Sequence, residues 1–144
     1  MKKITHLLMS LTAIALMRNA LAELVVIVNA NSGINKLSKT DIVNLYMGKS
    51  CKFPNGLMAL PIDLKNSDIE KAEFYSSLTG KDLPEINSYW ARLHFSGFGS
   101  PPVQAGSMDD VLNIVSENKG AIGYIDRKKI DKRVKLIYIV NPLP

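Results

Sequence analysis

The sequence contains little of what builds disulfide frameworks, metal centres or catalytic triads. Its 144 residues include one cysteine, Cys51, and two histidines, His6 and His94. A single cysteine cannot form an intramolecular disulfide, and zinc sites need several cysteine or histidine ligands at defined spacing. No serine stands on a recognisable nucleophile elbow. We therefore expect no enzyme, no metal and no cofactor, and we expect Cys51 either to be buried and inert or to serve as a contact between two copies.

The N-terminus has the pattern of an export signal. Lys2 and Lys3 precede an apolar stretch that runs up to the small residues Ala20-Leu21-Ala22. Residues 1–22 are therefore predicted to be a cleaved signal peptide, which places the mature domain, 23–144, in the periplasm. Arg18 interrupts the apolar stretch, and this argues against the alternative of a retained membrane anchor.

A large surplus of one charge is also missing from the mature chain. Lys2, Lys3 and Arg18 leave with the predicted signal, so the 18 basic residues become 15 against 13 acidic ones, and the net charge falls from +5 to +2. Nucleic-acid binding would need a basic stripe with interleaved aromatic residues, so we expect no nucleic-acid partner. The one basic cluster lies between positions 127 and 133 and is interrupted by Asp126 and Asp131, which is typical of a solvated turn.

A helix that leads directly into a strand is predicted between Ser107 and Ile125. Ser107 and Asp110 have the spacing of a capping box. We expect Gly120 to end the helix in the left-handed conformation, and Gly123 predicts a tight crossing, of which a helix packed on a sheet is the plainest form. The apolar residues of this helix recur at helical spacing: Met108, Val111, Leu112 and Val115.

Two polar loops follow predicted strands. The first strand, 24–28, is a continuous apolar run, as in strands covered on both faces, and the second spans 57–64. Hydroxyl, amide and amine groups at the carboxyl end of a strand suit an oxyanion, whereas the plain alternative is an ordinary turn. The ligand-binding candidates in these loops are Asn31, Ser32, Lys65, Asn66 and Ser67.

The remaining elements complete an α/β pattern. A capped helix is predicted from Ser38 to Gly48, followed later by a helix that ends at Gly80 and one that starts at Asp82. The last strand, 134–140, is apolar enough to be internal, whereas Pro61 favours an edge position or a bulge for the second strand. We expect about four strands and four helices in a three-layer α/β sandwich.

Asp63 and Asp68 are a candidate carboxylate pair near these loops. Their five-residue spacing crosses a strand-to-helix turn and fixes no distance between the side chains. We therefore interpret both as solvated caps.

Five segments match one protein family in order and spacing: Leu37 to Gly48, Phe74, Tyr89-Trp90, Phe95-Ser96-Gly97, and Gly120 to Ile125. They resemble the substrate-binding proteins of phosphate ABC transporters, the PstS-like branch of the type II periplasmic binding proteins. The resemblance covers nearly the whole mature chain. Without the predicted signal peptide, 122 of the 144 residues remain, and these suffice for only one of the family's two lobes. The resemblance therefore implies an α/β fold like a single lobe.

The resemblance is weaker at the family's anion site. That site includes an Arg-x-Asp-x-Ser-Gly-Thr run at a helix start, where backbone amides and the helix dipole favour negative charge. Here Asp63 and Lys65 stand at the arginine and aspartate positions, and Ser67 is the one match. Asp68 and Ile69 replace the glycine and threonine, so only the serine of the signature is kept.

Two functions follow from the resemblance. The first is an exported solute-binding domain for phosphate or a related oxyanion, working with an ABC transporter permease. A homodimer would supply the second lobe from another copy. The second is an envelope protein-interaction module that keeps the fold and has lost small-anion binding.

Overall fold

The computed structural model describes residues 22–141, so the predicted signal peptide lies outside the described residues except for Ala22. Within 22–141 no helix is long and apolar enough to cross a membrane. The five strands are β1 Leu24–Asn29, β2 Leu60–Asp63, β3 Val103–Gln104, β4 Ala121–Asp126 and β5 Val134–Ile139. The four helices are α1 Lys39–Tyr46, α2 Ile69–Thr79, α3 Leu83–Phe95 and α4 Met108–Glu117.

The strands form one sheet in the order β3-β2-β4-β1-β5. β2 runs parallel to β3 and β4, whereas β1 runs antiparallel to β4 and β5. The carboxyl ends of β2, β3, β4 and β5 therefore lie on the same side of the sheet, at one end of the strands. The carboxyl end of β1 lies at the other end.

Helices cover both faces of the sheet. Side chains alternate along β4, so Tyr124 and Gly123 face opposite sides. Tyr124 packs against Tyr46 of α1 and Phe74 of α2, while Gly123 faces Val111 of α4. The predicted three-layer α/β sandwich is confirmed. The fifth strand, β3, was not predicted, because glycine and proline residues surround it in the sequence.

The local signals at helix ends act as predicted. The Ser38 hydroxyl accepts from the Asp41 backbone N–H at 3.0 Å, and the Asp41 carboxylate accepts from the Ser38 N–H in return. Gly80 ends α2 with a φ of 69°, in the left-handed region where a Cβ is penalised. These contacts fix where α1 begins and where α2 ends.

Two predictions about the sheet are corrected. β5 is an edge strand, not an internal one. It keeps its apolar residues because Val134 and Ile137 are buried in the core and its other apolar residues pack against it. β2 lies between β3 and β4, so the strand as a whole is not at an edge. Pro61 is nevertheless tolerated, because it pairs with Ile122 on one side and β3 reaches only Ile62 and Asp63 on the other.

Glycine is required at positions 120 and 123 for different steric reasons. Gly120 is not left-handed as predicted, since its φ is outside the positive range. A Cβ there would instead collide with the backbone carbonyl oxygen of Met58. At Gly123 the predicted tight crossing is present: a Cβ would collide with Val111 of α4 and press on Val115 at 3.2 Å.

Cys51 is exposed, so the expectation of a buried, inert cysteine is wrong. It belongs to a small hairpin in which Lys52 and Met58 form a β-bridge. The Cys51 carbonyl accepts from the Ala59 N–H at 2.9 Å. The backbone, rather than the thiol, ties this position to the fold.

Candidate functional site

A buried ion pair lies at the carboxyl end of β2. Asp63, the last residue of β2, is 3% exposed, and Lys71 of α2 is 4% exposed. The Lys71 Nζ lies 3.7 Å from the Asp63 Oδ2 and donates to the Asn66 Oδ1 at 2.8 Å. Charges this deeply buried are costly unless they are paired and hydrogen-bonded.

Two tyrosines and a backbone amide complete the coordination of Asp63. The Tyr75 hydroxyl donates to Oδ2 at 2.6 Å, and the Tyr124 hydroxyl donates to Oδ1. The Leu64 N–H also donates to Oδ1, at 2.9 Å. The carboxylate is therefore held from the sheet and from α2 at once, and it is not the solvated cap that the sequence indicated.

The sequence carries a signal for this cluster that its apolar pattern obscured. The buried residues of α2 are Lys71, Phe74, Tyr75 and Leu78, at i, i+3, i+4 and i+7. A lysine at the first of these positions requires a buried partner, because an unpaired ammonium would not be placed in a core. Asp68, by contrast, is half-buried, and its side chain makes no capping hydrogen bond to α2.

Burial sets the protonation of the tyrosines. Desolvation, reinforced by the negative charge of Asp63, raises the pKa of Tyr75 and of Tyr124 well above its ordinary value. The same two causes raise the pKa of Tyr46, whose hydroxyl donates to the carbonyls of Ile62 and Ile122. All three hydroxyls therefore stay protonated donors in the folded protein.

We expect stability to fall as the pH rises above about 10, the ordinary tyrosine pKa. Above that pH the unfolded chain releases tyrosine protons that the folded protein retains, so each buried tyrosine lowers the free energy of unfolding by up to about 1.4 kcal/mol per pH unit. Below it the contribution is fully present. Urea unfolding at successive pH values measures the slope. Tyr46→Phe should make the slope shallower, and an unchanged slope in that variant would contradict the assignment.

The five sequence-predicted ligand residues do not form one site. Asn31 and Ser32 follow β1, whereas Lys65, Asn66 and Ser67 follow β2. Because β1 and β2 run in opposite directions, the two loops lie at opposite ends of the strands. The buried Ser32 hydroxyl accepts from the Ile34 N–H at 3.2 Å, which is the pattern of a local turn. Asn66 is the one member that touches the ion pair. Ligand binding by any of the five stays a prediction.

Lys65, Asn66 and Ser67 are exposed and come just before α2. They lie at the end of the sheet where the carboxyl ends of four strands meet. A pocket of about 290 Å³ lies nearby, between the starts of α2 and α4, and none of these three residues lines it. Its charged residues are Asp68, Glu70, Asp109 and Lys129, and Lys129 pairs with Asp109 at 2.9 Å. The helix starts favour an anion, whereas Asp68 and Glu70 oppose one.

The solvated basic turn is present as a short 3₁₀ helix, Arg127–Lys129. Its side chains are exposed and serve local ion pairs, such as Arg127 with Glu23 at 2.9 Å. Among residues 22–141 there is no group of three or more histidine, cysteine, aspartate or glutamate side chains that could hold a metal ion.

The chain matches no protein-family model and no curated protein sequence. Its structure is similar to solved substrate-binding proteins. One is a phosphate ABC transporter substrate-binding protein from Clostridium perfringens with bound phosphate, with a TM-score of 0.65, 16% identity, and coverage of 81% of this chain and 44% of that one. A phosphate transport receptor from Vibrio cholerae has a TM-score of 0.63, 17% identity, and coverage of 81% and 45%. PstS from Borrelia burgdorferi has a TM-score of 0.62, 14% identity, and coverage of 85% and 49%.

The chain thus spans less than half the length of each of these proteins. At 12–17% identity the likeness concerns the fold. The described part of the chain has the α/β fold of a single lobe of the PstS-like substrate-binding proteins of phosphate ABC transporters.

Proposed function

We propose that this chain is an exported solute-binding domain whose ligand is phosphate or a related oxyanion. The observation that carries the proposal is the position of Lys65, Asn66 and Ser67 at the start of α2 in a fold shared with a phosphate-bound protein. An ammonium, an amide and a hydroxyl are exposed there beside the positive end of a helix dipole. An ABC transporter permease is the proposed partner, and export by the predicted signal peptide places the encounter in the periplasm.

Charge sets the strength of this binding. Asp68 and Glu70 stand in or next to the first turn of α2, where each negative charge disfavours a bound anion by about 0.3–1 kcal/mol. We therefore propose a weak site in the native protein. An oxyanion held by Lys65 and Ser67 would gain affinity if these two charges were removed.

We expect isothermal titration of the purified protein to show saturable phosphate binding. The double variant Asp68→Asn/Glu70→Gln should bind about threefold to thirtyfold more tightly, because two opposing charges of about 0.3–1 kcal/mol each are removed. Ser67→Ala and Lys65→Ala should weaken binding. Parallel titrations with sulfate test discrimination, and titrations at two salt concentrations test the charge dependence.

Lys81→Ala is a suitable control, because Lys81 is an exposed lysine in the turn between α2 and α3. It removes one positive charge without touching the proposed site. Absence of heat with phosphate in both the native protein and the double variant would overturn the oxyanion proposal.

The second candidate is an envelope interaction module, and exposed aromatic side chains favour it. Phe95, at the end of α3, is 90% exposed, and Phe98, in the loop that follows, is 81% exposed. Large apolar side chains exposed close together are typical of contact surfaces. Sedimentation equilibrium of the protein and of Phe95→Ser/Phe98→Ser tests whether copies associate through this surface. Parallel phosphate titration of both proteins separates the two functions, because a cleft built from two copies would lose phosphate binding together with association, whereas an interaction module would lose association alone.

A further inference from the structure

A groove of about 400 Å³ lies between α2, α3 and the segment that leads into β3. Lys71 and Tyr75 of the buried cluster line one part of it, and Trp90, Phe95 and Pro102 line another. The volume falls within the range of small-molecule sites. This groove is separate from the exposed Lys65 to Ser67 loop, because Lys65 and Ser67 are not among its lining residues.

Volume alone does not distinguish this groove, since three other grooves of the described chain hold about 370, 310 and 340 Å³. The buried ion pair of Asp63 and Lys71 does. Its lining combines apolar residues such as Ile86 and Trp90 with the buried pair Asp63 and Lys71. The other polar lining residues are Asn87, His94 and Gln104. Apolar walls with a few polar groups converging at one end are the usual form of a small-molecule site.

Two residues that line this groove carry N–H groups with hydrogen-bonding capacity to spare. Trp90 is 8% exposed, and its Nε1–H is buried. No residue of the described chain accepts a hydrogen bond from this N–H. The Lys71 ammonium carries three N–H groups and makes one hydrogen bond, to Asn66, since the Asp63 oxygen at 3.7 Å is beyond ordinary hydrogen-bond length. A buried N–H without an acceptor costs free energy, which a bound acceptor would remove.

The charges of the buried pair cancel. Asp63 and Lys71 form an ion pair, and the acceptor positions of the Asp63 carboxylate are taken by Tyr75, Tyr124 and the Leu64 amide. A charged ligand would lose its hydration shell in the groove and would find no unpaired opposite charge there. The groove therefore favours an uncharged molecule that accepts hydrogen bonds.

We propose that this groove binds a small, uncharged, largely apolar molecule whose carbonyl or hydroxyl oxygen accepts from Trp90 or Lys71. The apolar body lies along Ile86, Trp90 and Phe95. Because solvent does not reach the indole nitrogen, an oxygen that bonds to it displaces the groove wall slightly. The groove shares no lining residue with the oxyanion loop, although Asn66 bonds to Lys71, and the proposal does not require that loop to bind phosphate.

The experiment uses acetophenone as the probe and the indole N–H resonance of ¹⁵N-labelled protein as the readout. Trp90 is the single tryptophan of the chain, so this resonance reports on one site. We expect a saturable shift with acetophenone. Ethylbenzene, which lacks the oxygen, and benzoate, which is charged, should bind at least about tenfold more weakly.

Two variants of α3 make the test specific. Ala91 is exposed and lines the groove, so Ala91→Phe should fill it and abolish the shift. Ser88 is exposed on the same helix and lines a different surface, so Ser88→Phe should bind acetophenone as the native protein does. No saturable shift, equal binding of ethylbenzene, or full binding by Ala91→Phe would overturn the proposal.

Discussion

Asp63→Asn should lower the free energy of unfolding by about 3 kcal/mol, because it leaves a buried charge without a counter-charge. The asparagine keeps the shape of the side chain, and its amide oxygen can still accept on one side of the cluster, whereas its amide nitrogen donates. Lys71, 4% exposed, then has only the neutral Asn66 as a close partner. Urea unfolding followed by circular dichroism measures the loss.

The double variant Asp63→Asn/Lys71→Met separates charge from packing. Replacement of a buried ion pair by groups of similar volume is often nearly neutral, so we expect at least half of the lost stability to return. Asp131→Asn is the matched control. Asp131 pairs with Arg133 at an exposed position and should change stability little. If the double variant were no more stable than Asp63→Asn, the ion-pair explanation would be wrong.

Gly120→Ala should cost about 3 kcal/mol, at the upper end of the effect of an overpacked site. The added methyl group would collide with the Met58 carbonyl oxygen, which is backbone and cannot rotate away. The surrounding hairpin holds that carbonyl in place through the bridge of Lys52 with Met58 and the bond from the Ala59 N–H to Cys51. The midpoint of urea unfolding measures the change.

Gly106→Ala is the control for this substitution. Neither glycine has a positive φ, so backbone strain is the same for both. At Gly106 the new Cβ would meet the Asp110 carboxylate at 2.8 Å, and a side-chain end can move. We expect a much smaller loss there; equal losses would show that glycine itself, rather than the contact with Met58, determines the cost.

The local parts of the fold could be predicted because their causes lie close together in the sequence. The capping box of Ser38 and Asp41 spans one helical turn, and Gly80 acts within its own turn. The apolar run of β1 correctly indicated a strand buried on both faces. Each of these features depends on residues that are neighbours along the chain.

The candidate site could not be predicted in the same way. An apolar run carries no strand direction, so Asn31 and Lys65 were expected near each other although β1 runs against β2 and β4. Asp63 is buried by Tyr75 and Tyr124, which come from α2 and β4. A carboxylate after a strand resembles a cap until those partners are known.

The antiparallel strand β1 also governs the order in which the sheet can be completed. It comes first in the described chain, yet its two neighbours are the last strands, with Leu24 opposite Asp126 and Val25 opposite Ile139. Until the chain beyond Ala121 has been made, β1 has no strand to pair with on either side. Contacts so distant in sequence close slowly. The middle of the sheet is therefore assembled late, and an incomplete chain leaves its most apolar strand unpaired.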